Sequence, residues 1–229
     1  MAHILFVLTG ADHWTLADGT DHPTGFWAEE FTAPYGAFTG AGHRVTVATP
    51  DGVIAPVDRA SLAPEVNGGP AGAAEVADIL SRATEFQNPI SLDKVDPADY
   101  DAVFYPGGHG PMQDLAVDPV SGALLDTALA SGKPLGIVCH GPAALLATAE
   151  SGRSPFAGYR LTGFSNAEET QGGLADKAKW LLEDRLVALG ADYQAGPAWA
   201  PHIEVDRNLY TGQNPASAGP LAAQMLTAL

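Results

Sequence analysis

The chain is short of two things and opens without a third. One cysteine among 229 residues leaves no internal disulfide framework and no multi-cysteine zinc site. Lysine and arginine number 11 against 27 aspartates and glutamates, a formal net charge of −16. So acidic a surface repels phosphate backbones and anionic lipid headgroups, which argues against nucleic-acid and membrane-surface partners. The apolar run near the start, Ile4 to Leu8, is far too short to span a bilayer, and no basic segment with a long apolar stretch opens the chain. The expectation is a soluble, cytoplasmic protein. Hydrophobic residues at 46% and charged residues at 17% predict one globular domain over residues 1–229 with material for a large core.

Apolar, β-branched runs alternate with helical patterns. Strands are expected at His3–Leu8, Arg44–Ala48, Asp101–Tyr105, Pro134–Cys139, Tyr159–Thr162 and Ile203–Val205, with Asn208–Thr211 pairing back after a turn. Helices are expected at about Gly25–Gly40, Ala73–Phe86, Pro119–Ser131, Pro142–Ala149, Asp176–Leu189 and Pro215–Leu229. This alternation predicts an α/β fold with a mostly parallel sheet sandwiched by helices. Residues 51–98, rich in Pro, Gly and Ala, read as a small cap insertion. In such sheets ligands bind beyond the carboxyl ends of the strands. That points to three strand-to-helix loops: Thr9–Gly25, Pro106–Gly110 and Cys139–Pro142.

The lone cysteine lies in the last of these. Leu135-Gly-Ile-Val-Cys-His-Gly-Pro142 leads from a buried strand through Cys139 into a helix start, the pattern of a nucleophile elbow. Gly141 permits a sharp turn, and Pro142 suits a first helical position. Unpaired N–H groups at a helix start are expected to favour the thiolate; the plainer reading is an inert buried thiol. His140 adjoins the nucleophile and is the strongest candidate for the base. Gly107-Gly108-His109-Gly110 can bring backbone N–H groups close to a ligand oxygen, and His109 either lines the same pocket or bonds its own turn. There is no Walker lysine, no Gly-x-Gly-x-x-Gly opening the first helix and no His pair at helical zinc spacing. No cofactor and no catalytic metal are expected.

Glu30 stands out on periodicity. At about 100° per residue, Phe26, Trp27, Phe31, Pro34, Ala37, Phe38 and Ala41 share one apolar arc, and Glu30 falls in its middle. Glu29 falls outside, with Thr32, Gly36 and Thr39. A carboxylate facing a sheet is costly without a partner, which makes Glu30 a candidate acid/base group with a raised pKa.

Several motifs together resemble the ThiJ/PfpI superfamily, with its class I glutamine-amidotransferase-like, flavodoxin-like fold. They are Thr24-Gly25 through Glu30 to Pro34, Thr49–Gly52, Pro106–Gly110, Val138–Pro142, Thr162–Glu169 and Thr211–Ser217. The similarity is greatest to the branch holding glutathione-independent (class III) glyoxalases and heat-shock holding chaperones. The resemblance implies Cys139 as nucleophile, His140 beside it, and Glu169 as the acidic third member, with neighbouring Glu168 the alternative. It also implies Glu30 as the proton-moving carboxylate, Gly108 and His140 as backbone oxyanion donors, a small carbonyl substrate and a homodimer. The implied activity is cofactor-free hydration of a 2-oxoaldehyde such as methylglyoxal to lactate. The rivals are a holding chaperone and an amide- or nitrile-type hydrolase. The last draws on His202-Ile203-Glu204, which resembles the His-x-Glu dyad of class I amidotransferases.

Overall fold

The computed structural model describes residues 1–149 and 153–229. Its strands are β1 (His3–Val7), β2 (His13–Thr15), β3 (Asp21–Pro23), β4 (Arg44–Thr49), β5 (Ile90–Ser91), β6 (Ala102–Tyr105), β7 (Leu135–Val138), β8 (Arg160–Leu161), β9 (Asp192–Tyr193), β10 (Ile203–Asp206) and β11 (Leu209–Gly212). Seven of them form one sheet in the order β10-β11-β7-β6-β1-β4-β5. Every pairing in it is parallel except β10 with β11. β6 and β7 are buried along their whole length, as a parallel strand covered on both faces must be.

Helices cover both sides. They are α1 (Ala28–Gly40), α2 (Pro70–Arg82), α3 (Thr84–Gln87), α4 (Gly110–Gln113), α5 (Pro119–Ser131), α6 (Asn166–Gln171), α7 (Leu182–Ala188) and α8 (Ala218–Leu226). α1 packs on α8, and α5 packs on a 3-10 helix at Gly141–Thr148. α5 has the limits its sequence signals demand. The Asp118 carboxylate accepts from the N–H groups of Val120 and Ser121, Pro119 opens the helix, and Gly132 closes it at φ 73°. Between sheet and α1, Phe6 meets Phe31, Phe38 and Phe104 at ring separations of 5.5, 6.0 and 5.1 Å.

Several elements differ from expectation, each for a physical reason. Residues 25–27 do not join α1, because their backbone is bonded to residues 56–58. Phe26 N–H donates to the Pro56 carbonyl and Asp58 N–H to the Phe26 carbonyl, both at 2.9 Å. A Cβ on Gly25 would lie 2.0 Å from the Pro56 oxygen, so only glycine fits this joint. The segment after Cys139 winds as a 3-10 rather than an α-helix. The helix expected from Asp176 begins only at Leu182, residues 174–178 being held in turns by the Leu174 carbonyl. The strand expected at 159–162 is β8, which pairs with β9 outside the main sheet. Residues 51–98 do more than cap: they supply β5 to the sheet edge and Leu80, Phe86 and Leu92 to the core. Among the described residues no helix is long and apolar enough to cross a membrane.

Candidate active site

The parallel order brings the carboxyl ends of β1, β6 and β7 side by side, so the three loops singled out above converge. They line a cavity of about 1100 Å³ whose walls include Cys139, His140, Gly108, His109 and Glu169.

Cys139 follows β7 with φ 60°, a left-handed conformation that a non-glycine residue avoids. The turn is held from both sides. Cys139 N–H donates to the Gly212 carbonyl, and Phe164 N–H donates to the Cys139 carbonyl, each at 2.8 Å. Strained backbone of this kind is what projects a side chain above a sheet. His140 Nδ1 lies 3.4 Å from Cys139 Sγ, and His140 Nε2 lies 2.7 Å from Glu169 Oε2. The Glu169 carboxylate is an acceptor, so Nε2 carries the proton of neutral His140 and Nδ1 faces the thiol as an acceptor. Burial and then the proximity of His109 bring the imidazole down to about 4, outweighing the upward pull of Glu169. It is therefore neutral at pH 7. Glu169 is held well below the usual carboxylate range by its two histidine partners, which outweigh its burial.

His109 is the second of those partners. Its Nε2 lies 2.9 Å from Glu169 Oε1, and its ring sits 4.0 Å from that of His140. On its other side it stacks on Trp14 of β2, at 5.1 Å and 17°. Thus His109 does not bond its own turn; it shares the carboxylate with His140.

Glu30 is fully buried in the first turn of α1, whereas Glu29 is half-buried. Gly107 N–H donates to Glu30 Oε2 at 2.7 Å, the Cys139 thiol lies close enough to influence the carboxyl, and Glu30 Oε1 is buried without a hydrogen-bond partner. Desolvation pushes Glu30 up to about 8, against the lowering influence of the Cys139 thiol and the Gly107 N–H. Thr32, expected on the polar side, is buried as well, because α1 is covered by α8.

The thiol departs from expectation. Burial, followed by the charge and closeness of Glu30, pushes Cys139 well above the usual thiol range, and the Gly108 N–H opposes this only in part. Cys139 is 3% exposed. Helix-start N–H groups do not offset that desolvation, and the resting form is the thiol. Gly108 has φ +84°, and a Cβ there would strike the Gly25 carbonyl oxygen at 2.4 Å. Its lack of a side chain lets the 107–110 loop close on residues 25–27.

Glu168 is also buried, but it faces away from the histidines. Its carboxylate accepts from Ser165 N–H and Oγ, Trp199 N–H, Gln213 Nε2 and Asn214 Nδ2 at 2.7–3.0 Å. With Ser165 it forms the capping box that starts α6. The Thr211–Ser217 motif thus reaches the site indirectly, by anchoring the helix that carries Glu169. The sequence reading missed α6, although Ser165-x-x-Glu168 is its start signal. It also missed Trp14, His22 and the β2–β3 hairpin around them.

His202 and Glu204 are not among the residues lining the cavity. They form a pair of their own at 3.3 Å, with Arg160 Nε 2.9 Å from the Glu204 carboxylate. Among the described residues, His109, His140 and Glu169 bring three potential metal-ligand atoms within 4.8 Å of one another. In this arrangement both imidazole Nε2 atoms are turned onto the carboxylate instead.

Comparison with known proteins gives concordant results. The model of the DJ-1/PfpI family matches residues 23–228. The glutathione-independent glyoxalase HSP31 of Saccharomyces cerevisiae is 32% identical over 241 aligned positions, covering 99% of this chain and 97% of that one. A bovine glutamine amidotransferase-like class 1 domain-containing protein is 33% identical, but the match spans 63% of this chain and 66% of that protein's length. Among solved structures, the 24 kDa rapid encystment protein of Francisella tularensis superposes with a TM-score of 0.88 at 29% identity, covering 100% of this chain and 99% of that one. Glyoxalase III of Candida albicans gives 0.82 at 25% identity, covering 100% and 97%. With its family motifs gathered around one strained cysteine and a family match over residues 23–228, the chain belongs to the DJ-1/PfpI family.

Proposed function

We propose that the protein is a glutathione-independent glyoxalase that hydrates 2-oxoaldehydes to 2-hydroxy acids with Cys139 as nucleophile. The observation that carries this reading is the position of the thiol, between a carboxyl raised to about 8 and a neutral imidazole. Similarity to HSP31 over nearly the whole of both chains supports the same class of reaction.

In this mechanism the Cys139 sulfur adds to the aldehyde carbon while its proton passes to His140 Nδ1. The new alkoxide lies toward the backbone N–H groups of Gly108 and His140 and takes that proton back, giving a hemithioacetal. Glu169 holds the imidazole in the required tautomer and stabilises its transient charge. Glu30 then removes the hydrogen from the former aldehyde carbon and returns a proton to the adjacent carbon through an enediol. A carboxylate with a pKa near 8 is a far stronger carbon base than an ordinary one, and a useful fraction of it is ionised at neutral pH. The product is a 2-hydroxy thioester, which water cleaves to the acid and the free thiol. One substrate carbon is oxidised as its neighbour is reduced, so no external electron acceptor enters the balance.

The test is turnover of methylglyoxal by the pure protein without glutathione or added metal, with lactate followed by NMR. Lactate formation that disappears in Cys139→Ala is expected. A rate no higher than that of the variant would overturn the proposal.

A further inference from the structure

Trp199 occupies a conformation that is unfavourable for it. Its φ is +64°, in the left-handed region where glycine is at ease and a bulky residue is not. Burial of the indole does not offset this, since the residue is 47% exposed. Two bonds to the α6 region hold it there. Its backbone N–H donates to Glu168 Oε1 at 2.8 Å, and its indole Nε1–H donates to Gln171 Oε1 at 2.7 Å. The indole lines the same cavity as Cys139 and meets Phe164 edge-on at 5.5 Å. Phe164 in turn lies 4.2 Å from the His140 ring. An unbroken run of aromatic rings therefore leads from the imidazole beside the nucleophile out to the rim. The cavity, at about 1100 Å³, is of the size that takes drug-sized ligands, far larger than methylglyoxal fills.

We infer that Trp199 and Phe164 form an aromatic subsite for the tail of the substrate, so that 2-oxoaldehydes carrying an aryl group are preferred over methylglyoxal. This rests on the 2-oxoaldehyde reading above. With phenylglyoxal the balance is unchanged: the sulfur–carbon bond forms at the aldehyde carbon, the proton moves to the ketone carbon, and water releases mandelate and the thiol. The phenyl ring takes no part in bond making and lies against the indole, the contact that aromatic pairs favour beyond simple area burial.

Trp199→Gly is the variant of choice, because glycine adopts this φ without strain and the loop keeps its path. The wild-type protein should have a kcat/KM for phenylglyoxal about tenfold or more above that for methylglyoxal, and Trp199→Gly should lower this ratio about tenfold. Any general damage to the Glu168 anchor affects both substrates and cancels in the ratio. A second measurement needs no turnover. Acetophenone, which has the phenyl ketone and no aldehyde, is titrated into the wild-type protein while the indole N–H NMR signals are followed. The signal absent from the Trp199→Gly spectrum should shift. An unchanged ratio, or a Trp199 signal that stays still at saturating acetophenone, would overturn the subsite. Failure of both aldehydes to turn over while that signal shifts would instead overturn the glyoxalase reading and leave the aromatic subsite established.

Discussion

Replacing Glu30 with glutamine should make the protein more stable, by an amount that grows with pH. The Glu30 carboxyl is fully buried and pushed from an ordinary 4.5 to about 8, with desolvation the largest cause. Its folded pKa thus lies above its unfolded one. Below about pH 4.5 both states hold the proton and the group is neutral to stability. Between 4.5 and 8 the folded chain keeps a proton that the unfolded chain has released, so wild-type stability falls as pH rises. The slope is about 1.4 kcal/mol per pH unit, which amounts to roughly 3 kcal/mol at pH 7 and about 5 kcal/mol above pH 8. Glutamine resembles the protonated carboxyl, still accepts from Gly107 N–H, and does not titrate. Relative to wild type, Glu30→Gln should therefore melt about 7 °C higher at pH 7, with little gain at pH 5. Urea unfolding of both proteins from pH 5 to 9 measures the difference directly. Repeating the pair on a Cys139→Ala background removes the titration of the thiol. Parallel stability curves across this range would refute the reasoning, because they would mean that the carboxyl is not desolvated. The same variant should have lost turnover, which makes Glu30 a residue held for chemistry at the expense of stability.

Three further predictions concern neighbouring groups. Glu168→Gln sets an amide N–H₂ against donors that need an acceptor, and should destabilise the fold by about 2–4 kcal/mol in thermal melts; Glu169→Gln removes a carboxylate that its two histidines favour in the folded state, and should lower the melting temperature at pH 7 as well as lower kcat at least a hundredfold. If Glu168→Gln melts like wild type, the anchoring role assigned to it is wrong. Alkylation of Cys139 by iodoacetamide should be slower at pH 7 than that of a free thiol, and at pH 9, where Glu30 is ionised, it should be faster in Glu30→Gln, which lacks the repelling carboxylate. Equal rates in the two proteins would show that Glu30 does not govern the thiol.

Much of this site was legible in the sequence because single physical demands wrote it there. Strands buried on both faces need continuous apolar runs, so β1, β6 and β7 are visible as such. A charge in the middle of an apolar helical arc has few explanations, and Glu30 is where that argument points. Short elements carry too few residues for a period, which is why β2, β3 and β9 leave no trace. α6 spans six residues, and its only signal is the capping box. The pairing of His109 with Glu169 joins positions 60 residues apart and depends on how β6 and α6 meet. The raised thiol pKa leaves no mark on the sequence for a different reason. Sequence shows the N–H groups that stabilise a thiolate, but the desolvation that opposes them exists only once the loops have closed over Cys139.

The joint between residues 25–27, 56–58 and 107–110 has a consequence for how such a site can diversify. Those segments meet main chain against main chain, with Gly25 and Gly108 leaving no side chain between them. Glu30 stands on the helix that starts beside this joint, and its carboxyl bonds Gly107 within it. The spacing of carboxyl to thiol is therefore set by peptide geometry, and repacking of neighbouring side chains leaves it unmoved. The walls of the cavity are built differently, from exposed positions such as Arg59, Lys177 and Trp199 on separate loops. Mutation can reshape what enters the cavity one residue at a time, while the carboxyl and the thiol keep their registration.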